Sequence, residues 1–212
     1  MIIKALIPAY NEEKTIGDII DVLNNTSLID EVIVVDDGSQ DNTYQEADKR
    51  KARIYKLDVN KGKGAALQKG ISEIETDIIV LLDGDLIGLN KQHIYKLINP
   101  LVTDEADMTI GVFKSGRGLT DLAQIVSPKL SGQRAIKMSE LLKVKNLAER
   151  GFGVEVALNK YFKDDKRVKK VDLKDLTHVM KEEKMGFIKG VKSRSKMYLD
   201  ILKTIFSNIT DK

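Results

Sequence analysis

Along the first half of the chain, short unbroken runs of apolar residues alternate with longer stretches in which apolar residues recur every three or four positions. The runs "IIKALIP", "EVIVVDDGS", "ARIYKLDV" and "DIIVLLDGD" are rich in β-branched residues and predict strands. Between them, "EEKTIGDIIDVLNN" carries Ile16, Ile19, Ile20 and Leu23 at helical spacing. "DNTYQEADKRK" predicts a helix with Asp41 near its cap, and "NKGKGAALQKGISEIE" opens on glycines and continues as a helix. Strands alternating with helices predict a parallel sheet with right-handed crossovers, an α/β fold. "DMTIGVF" adds a strand, and "KQHIYKL" is an amphipathic helix in which His93 is expected to be solvated or half-buried. The pattern then loosens. "KSGRGLTDLAQIVSPKLSGQRA" reads as loop with one short helix, "GFGVEVALNKYF" as helix from Val154, "RVKKVDLK" as strand, and the tail from Ser193 as helix.

The run ending in "LLDGDLIG" raises the first chemical question. A strand buried on both faces has no place for a carboxylate, so Asp83 and Asp85 are expected where the strand leaves the sheet, with Gly84 turning the backbone between them. Ligands of open α/β sheets bind at the carboxyl ends of strands. Two anionic groups there repel unless a cation or hydrogen-bond donors neutralise them, and hard oxygen ligands suit Mg²⁺ or Mn²⁺. Taken alone, the pair fits a solvated Asp-Gly-Asp turn equally well.

Composition narrows the classes. At 212 residues the chain is long enough for one domain with a substantial core, and 42% hydrophobic with 32% charged residues is ordinary for a globular protein. A net charge of +3 gives no support to a nucleic-acid partner. The absence of Cys excludes disulfides, thiolate metal sites and a cysteine nucleophile. No apolar run is long enough to span a membrane, and "MIIKALIPAY" lacks the features of a signal peptide. A cytoplasmic protein is the expectation.

Three predicted strands end in polar clusters: Pro8 to Glu12, Asp36 to Ser39, and Asp83 to Asp85. In a parallel sheet these ends converge on one edge. "NKGKG" lies on a connection where glycines allow close backbone approach and Lys61 and Lys63 can meet phosphate, but it lacks the spacing of a Walker loop or a dinucleotide fingerprint.

Together "IPAYNEEKTIG", "VVDDGSQDNT", "NKGKGAALQKG" and "LLDGD", in this order, resemble the nucleotide-binding half of glycosyltransferase family 2 enzymes with the GT-A fold, a Rossmann-like, mostly parallel sheet flanked by helices. The resemblance implies that Pro8, Ala9, Tyr10 and Glu12 line a uridine or guanosine pocket, that Asp37 bonds the base, and that Lys63 helps hold the nucleotide. It also implies that Asp83, Gly84 and Asp85 hold the diphosphate and its Mg²⁺ or Mn²⁺, with Asp85 the more direct ligand. On the acceptor side, "KLSGQRA", "GFGVEVAL" and "LTHVMKEEK" are similar to glucosyl-3-phosphoglycerate synthases and related enzymes. By that similarity Ser131, Gly132, Gln133 and Arg134 border the sugar or acceptor, Glu155 meets the reacting sugar or the acceptor hydroxyl, and His178 completes the metal site. The plainer alternatives are a first-turn helix acid for Glu155 and a surface residue for His178.

The implied organisation is a single domain over 1–212, with a nucleotide-sugar half (1–115), an acceptor half carrying the C-terminal extension (116–192), and an amphipathic helix (193–212). The implied reaction is metal-dependent transfer of one sugar from a nucleotide-sugar donor, UDP-glucose-like or GDP-mannose-like, to a small phosphorylated or lipid-linked acceptor. If configuration inverts, Glu155 or Glu149 serves as base; if it is retained, the leaving phosphate can do so and Glu155 positions the substrate. Without Trp the chain lacks the QxxRW-type element of processive polymer synthases, which favours a single transfer. Two rivals are a sugar-1-phosphate nucleotidyltransferase, whose glycine-rich opening loop is missing from "IPAYNEEKTIG", and a non-catalytic nucleotide-binding domain. The tail places Met197, Ile201, Leu202, Ile205 and Ile209 near one face, suited to an anionic membrane at the inner face or to packing on the domain or in a homodimer.

Overall fold

The computed structural model describes residues 1–114, 131–144, 153–162 and 167–179. The expected helical tail, Glu149 and most of the glycine-rich stretch after Lys114 lie outside the described residues. The chain divides into two units, Met1–Thr177 and His178–Lys212. His178 is the closing residue of a strand that begins in the first unit.

Strands β1 (Ile3–Ala9), β2 (Glu31–Asp36), β3 (Arg53–Lys56) and β4 (Ile78–Leu81) are joined by helices α1 (Ile16–Asn24), α2 (Thr43–Asp48) and α3 (Lys63–Ser72). Strand β1 pairs in parallel with β2 and β4, and β2 with β3, so the expected alternation gives the expected parallel sheet. After the two-residue strand β5 (Leu86–Ile87) come α4 (Lys91–Val102), β6 (Met108–Lys114), β7 (Arg134–Lys137), α5 (Met138–Leu141), α6 (Gly153–Tyr161), β8 (Val168–Lys174) and β9 (Thr177–His178). The seven-stranded sheet runs β3-β2-β1-β4-β7-β6-β8, and β5 pairs with β9 in a small second sheet.

Period-two alternation divides the core between the two faces of the sheet. Ala5 and Ile7 of β1 face the layer built by Ile16, Ile19, Ile20 and Leu23 of α1 and Ile94, Leu97 and Ile98 of α4. Leu6 faces Ala66 and Leu67 of α3 and Leu158 of α6. The four α1 residues singled out by spacing are all at most 1% exposed, each contributing about 1.5–3 kcal/mol by burial. With both faces covered, the strands carry the solid apolar runs from which they were predicted.

Two expectations are corrected. The segment around "GQRA" is not all loop: Arg134–Lys137 is strand β7, antiparallel to both β4 and β6. Four residues bounded by charged side chains carry too little apolar signal to be read as a strand. His93 is neither solvated nor half-buried but 3% exposed. It lies on the core face of α4, and its Nε2–H donates to the Lys174 carbonyl at 2.9 Å, fixing the end of β8. Burial lowers its pKa, so the ring is neutral at physiological pH.

The antiparallel turn of β7 positions the site. Its first residue, Arg134, pairs with Leu81 at the end of β4, so the residues just before it emerge at the carboxyl edge of the parallel strands.

Candidate active site

The loops after β1 and β2 are bonded side by side. Asn11 takes a positive φ of 56°, its backbone N–H donates to Ser39 Oγ at 3.0 Å, and its Oδ1 accepts from Gln40 N at 2.8 Å. Glu12 N donates to Thr43 Oγ1 at 2.7 Å, while the Glu12 carbonyl starts α1 by accepting from Ile16 N at 3.0 Å. Thr15 Oγ1 then donates to the Gly84 carbonyl at 2.7 Å, joining these loops to the aspartate turn after β4. Gly84 is buried against Ala9 and Glu12: a Cβ there would lie 3.2 Å from Glu12 Cγ and 3.4 Å from Ala9 Cβ. Pro8 and Glu12 are half-buried and Tyr10 is exposed, so the residues expected to line a nucleoside pocket are neighbours at one edge. Asn11, which drew no notice in the sequence, holds the two loops in register.

Asp37 is buried, and its two oxygens accept from Lys61 N and Gly62 N at 2.8 Å each. Its visible work is to fix the entrance to α3, where Gly62 turns with φ +91° and Lys63 opens the helix. Lys61 stays exposed.

Lys63 is the electrostatic centre. Its Nζ lies 2.6 Å from Asp83 Oδ1 and 2.6 Å from Glu155 Oε1, a residue 92 positions away. Burial penalises its charge, but Asp83 and Glu155 outweigh that and raise its pKa above the ordinary lysine range. Glu155 sits in the first turn of α6, as the plainer alternative has it, and it is also 6% exposed and bonded across the site to Lys63. The other oxygen of Asp83, Oδ2, accepts from Gln133 Nε2 at 2.8 Å. Behind this group the Arg134 guanidinium, 1% exposed, donates to the Ser131 carbonyl at 3.0 Å and to Asn159 Oδ1 at 3.1 Å. Burial pushes its pKa down to about 10, opposed by Glu155, and it remains charged at neutral pH. Pro8, Lys63, Asp83, Gly132, Arg134 and Glu155 share the lining of one small cavity. Of the four residues expected to border the sugar or acceptor, Ser131, Gln133 and Arg134 are buried and only Gly132 keeps appreciable exposure.

Gly132 has no room for a side chain. A Cβ there would lie 2.6 and 2.7 Å from the Asp83 carboxylate oxygens and 2.7 Å from Lys63 Nζ. Gly132→Ala is therefore expected to displace both groups, with activity falling about 100-fold or more while the melting temperature changes little. Paired turnover and thermal-unfolding measurements check this, and near-normal turnover would show that the Asp83–Lys63 geometry is dispensable.

Asp83 and Asp85 are each half-buried at this edge, and His178, the last residue of β9, is half-buried as well. Ahead of β9, Leu176 is fully buried, and Gly88, at φ +83°, approaches the Asp175 carbonyl so closely that a Cβ would lie 2.6 Å from it. Two carboxylates with one imidazole suit Mn²⁺ well and Mg²⁺ through its oxygens.

A family model described as glycosyl transferase family 2 matches residues 5–162. The chain belongs to that family. Its sheet is that of the GT-A fold: a crystal structure of glucosyl-3-phosphoglycerate synthase from Mycobacterium tuberculosis in complex with Mn²⁺, UDP-glucose and phosphoglyceric acid matches with TM-score 0.71 and 29% identity, covering 84% of this chain and 71% of that one. In sequence, the M. tuberculosis glucosyl-3-phosphoglycerate synthase is 32% identical, over 74% of this chain and 59% of the relative. A UDP-N-acetylglucosamine–dolichyl-phosphate N-acetylglucosaminyltransferase from Methanococcus voltae is 35% identical over 52% of this chain and 51% of its own length. The chain thus spans a little over half the length of these curated relatives. Among the described residues, no helix is long and apolar enough to cross a membrane.

Proposed function

We propose that this glycosyl transferase family 2 chain transfers one hexosyl residue from a uridine-diphosphate sugar to a phosphorylated acceptor with the help of a divalent cation. The observation that carries the reading is the convergence of Asp83 with the Lys63–Glu155 pair at one sheet edge, one residue from Asp85. Asp83 and Asp85, with His178 as the expected third ligand, would hold Mn²⁺ or Mg²⁺, which would supply a Lewis acid for the charge on a departing diphosphate. Lys63, an ammonium throughout the neutral range, supplies a second positive charge for the phosphates. Pro8, Ala9, Tyr10 and Glu12 cradle the nucleoside, and Asp37 keeps the Lys61–Gly62 turn open beside the base. Glu155, buried and ordered by Lys63, positions the reacting sugar.

A phosphorylated acceptor is favoured because both kinds of relative are named for one, phosphoglycerate in the first case and dolichyl phosphate in the second. The donor is tested by incubating the protein with UDP- and GDP-sugars and Mn²⁺ and measuring slow donor hydrolysis, which needs no acceptor. Release of UDP from one UDP-sugar, abolished by EDTA, is the expected result. Release of pyrophosphate from a sugar 1-phosphate and a nucleoside triphosphate would instead mark a nucleotidyltransferase. No turnover of any kind, with nucleotide binding intact, would mark a non-catalytic domain.

A further inference from the structure

We infer that Gln133, oriented by Ser131, is a positioning residue that fixes the Asp83 carboxylate for metal binding. Gln133 Nε2 donates to Asp83 Oδ2 at 2.8 Å, and Ser131 Oγ donates to Gln133 Oε1 at 2.9 Å. This order of donors defines the amide: a carboxylate only accepts, so the NH₂ must face Asp83, and the oxygen must face the hydroxyl. Gln133 is 0% and Ser131 8% exposed, so little water competes for these bonds. The backbone is fixed as well, since Gly111 N donates to the Gln133 carbonyl at 2.8 Å.

The consequence falls on Asp83. Lys63 holds Oδ1 at 2.6 Å, which fixes one end of the carboxylate. The second bond pins the carboxylate plane at both oxygens. A neutral amide does this without adding a charge beside the metal. Hydrogen-bond partners of metal ligands commonly set metal affinity by 10–100-fold.

The inference rests on the metal-site reading, and the experiment separates the two. Mn²⁺ binding in the presence of saturating UDP is followed by the electron paramagnetic resonance signal of free Mn²⁺, for wild type, Gln133→Met, Ser131→Ala, the double variant and Asp85→Ala. Thermal unfolding is recorded for each. Gln133→Met is expected to weaken Mn²⁺ binding about tenfold or more, Ser131→Ala by a smaller factor, and the double variant no further than Gln133→Met alone, because both act through one amide. Wild-type Mn²⁺ affinity in Gln133→Met and Ser131→Ala, beside lost binding in Asp85→Ala, would overturn the positioning role and leave the metal site standing. Wild-type affinity in Asp85→Ala would overturn the metal site and the inference with it. If Gln133→Met does not fold, Ser131→Ala decides alone, since it frees the amide while removing a single hydroxyl.

Discussion

Asp85→Ala is expected to lose about a thousandfold or more in sugar transfer, because a cation stabilising the leaving diphosphate contributes several kcal/mol to the transition state and each 1.4 kcal/mol is a factor of ten. The fold is expected to persist. Asp85 is half-buried at a strand end, where loss of a carboxylate seldom costs more than about 1 kcal/mol. The variant should therefore melt within a few degrees of wild type and still be unable to turn over. Initial rates with the preferred donor, set beside a thermal melt, give both numbers. A variant retaining a tenth of wild-type activity would show that the aspartate turn is only a turn.

The second large effect is expected for Lys63→Met. Removing the ammonium leaves Asp83 and Glu155 facing each other as like charges, with the Glu155 side chain only 7% exposed. Breaking a fully buried pair costs about 3–5 kcal/mol. The Lys63 side chain keeps 35% of its surface, so solvent screening lowers the expectation to about 2 kcal/mol. Activity should fall about 100-fold or more, since the charge facing the phosphates goes as well. The pH dependence has a definite sign. The folded-state pKa of Lys63 is raised, so its contribution to stability is full below the ordinary lysine value and is lost only as pH rises through the raised one. Neither stability nor activity should then change near neutrality through Lys63. A variant as stable and active as wild type would remove Lys63 from the centre of the site.

Most of the fold of the first 115 residues was legible because local and global signals agree there. Solid apolar runs such as Ile78–Leu81 form strands buried on both faces, and a carboxylate following such a run can only stand at the edge of the sheet. Three such ends converge because the strands are parallel, so Pro8 to Glu12, Asp37 and Asp83 to Asp85 were found together. What was not legible depends on contacts distant in sequence. Nothing near "GKG" announces that Lys63 meets Glu155 across 92 residues. Strand β7 was hidden by its shortness and by Arg134, a charge at a core position that is tolerated because Ser131 and Asn159 accept from it. Missing β7 also hid the contact of Gln133, expected to border the sugar or acceptor, whose Nε2 donates to Asp83 Oδ2. His93 misled in the same way: a polar residue in an amphipathic helix was expected at least partly in solvent, and only its distant bond to the Lys174 carbonyl shows why a histidine is kept on the buried face.

The central claim is that one sheet edge holds a nucleoside diphosphate and a divalent cation together, and calorimetric titration of UDP with and without Mn²⁺ tests it most directly. If Asp83 and Asp85 bind a cation that the diphosphate shares, Mn²⁺ should tighten UDP binding by about tenfold or more in wild type and leave it unchanged in Asp85→Ala, a coupling within the usual range between linked sites. Equal UDP affinity in Mn²⁺ and in EDTA for the wild-type protein would contradict the account.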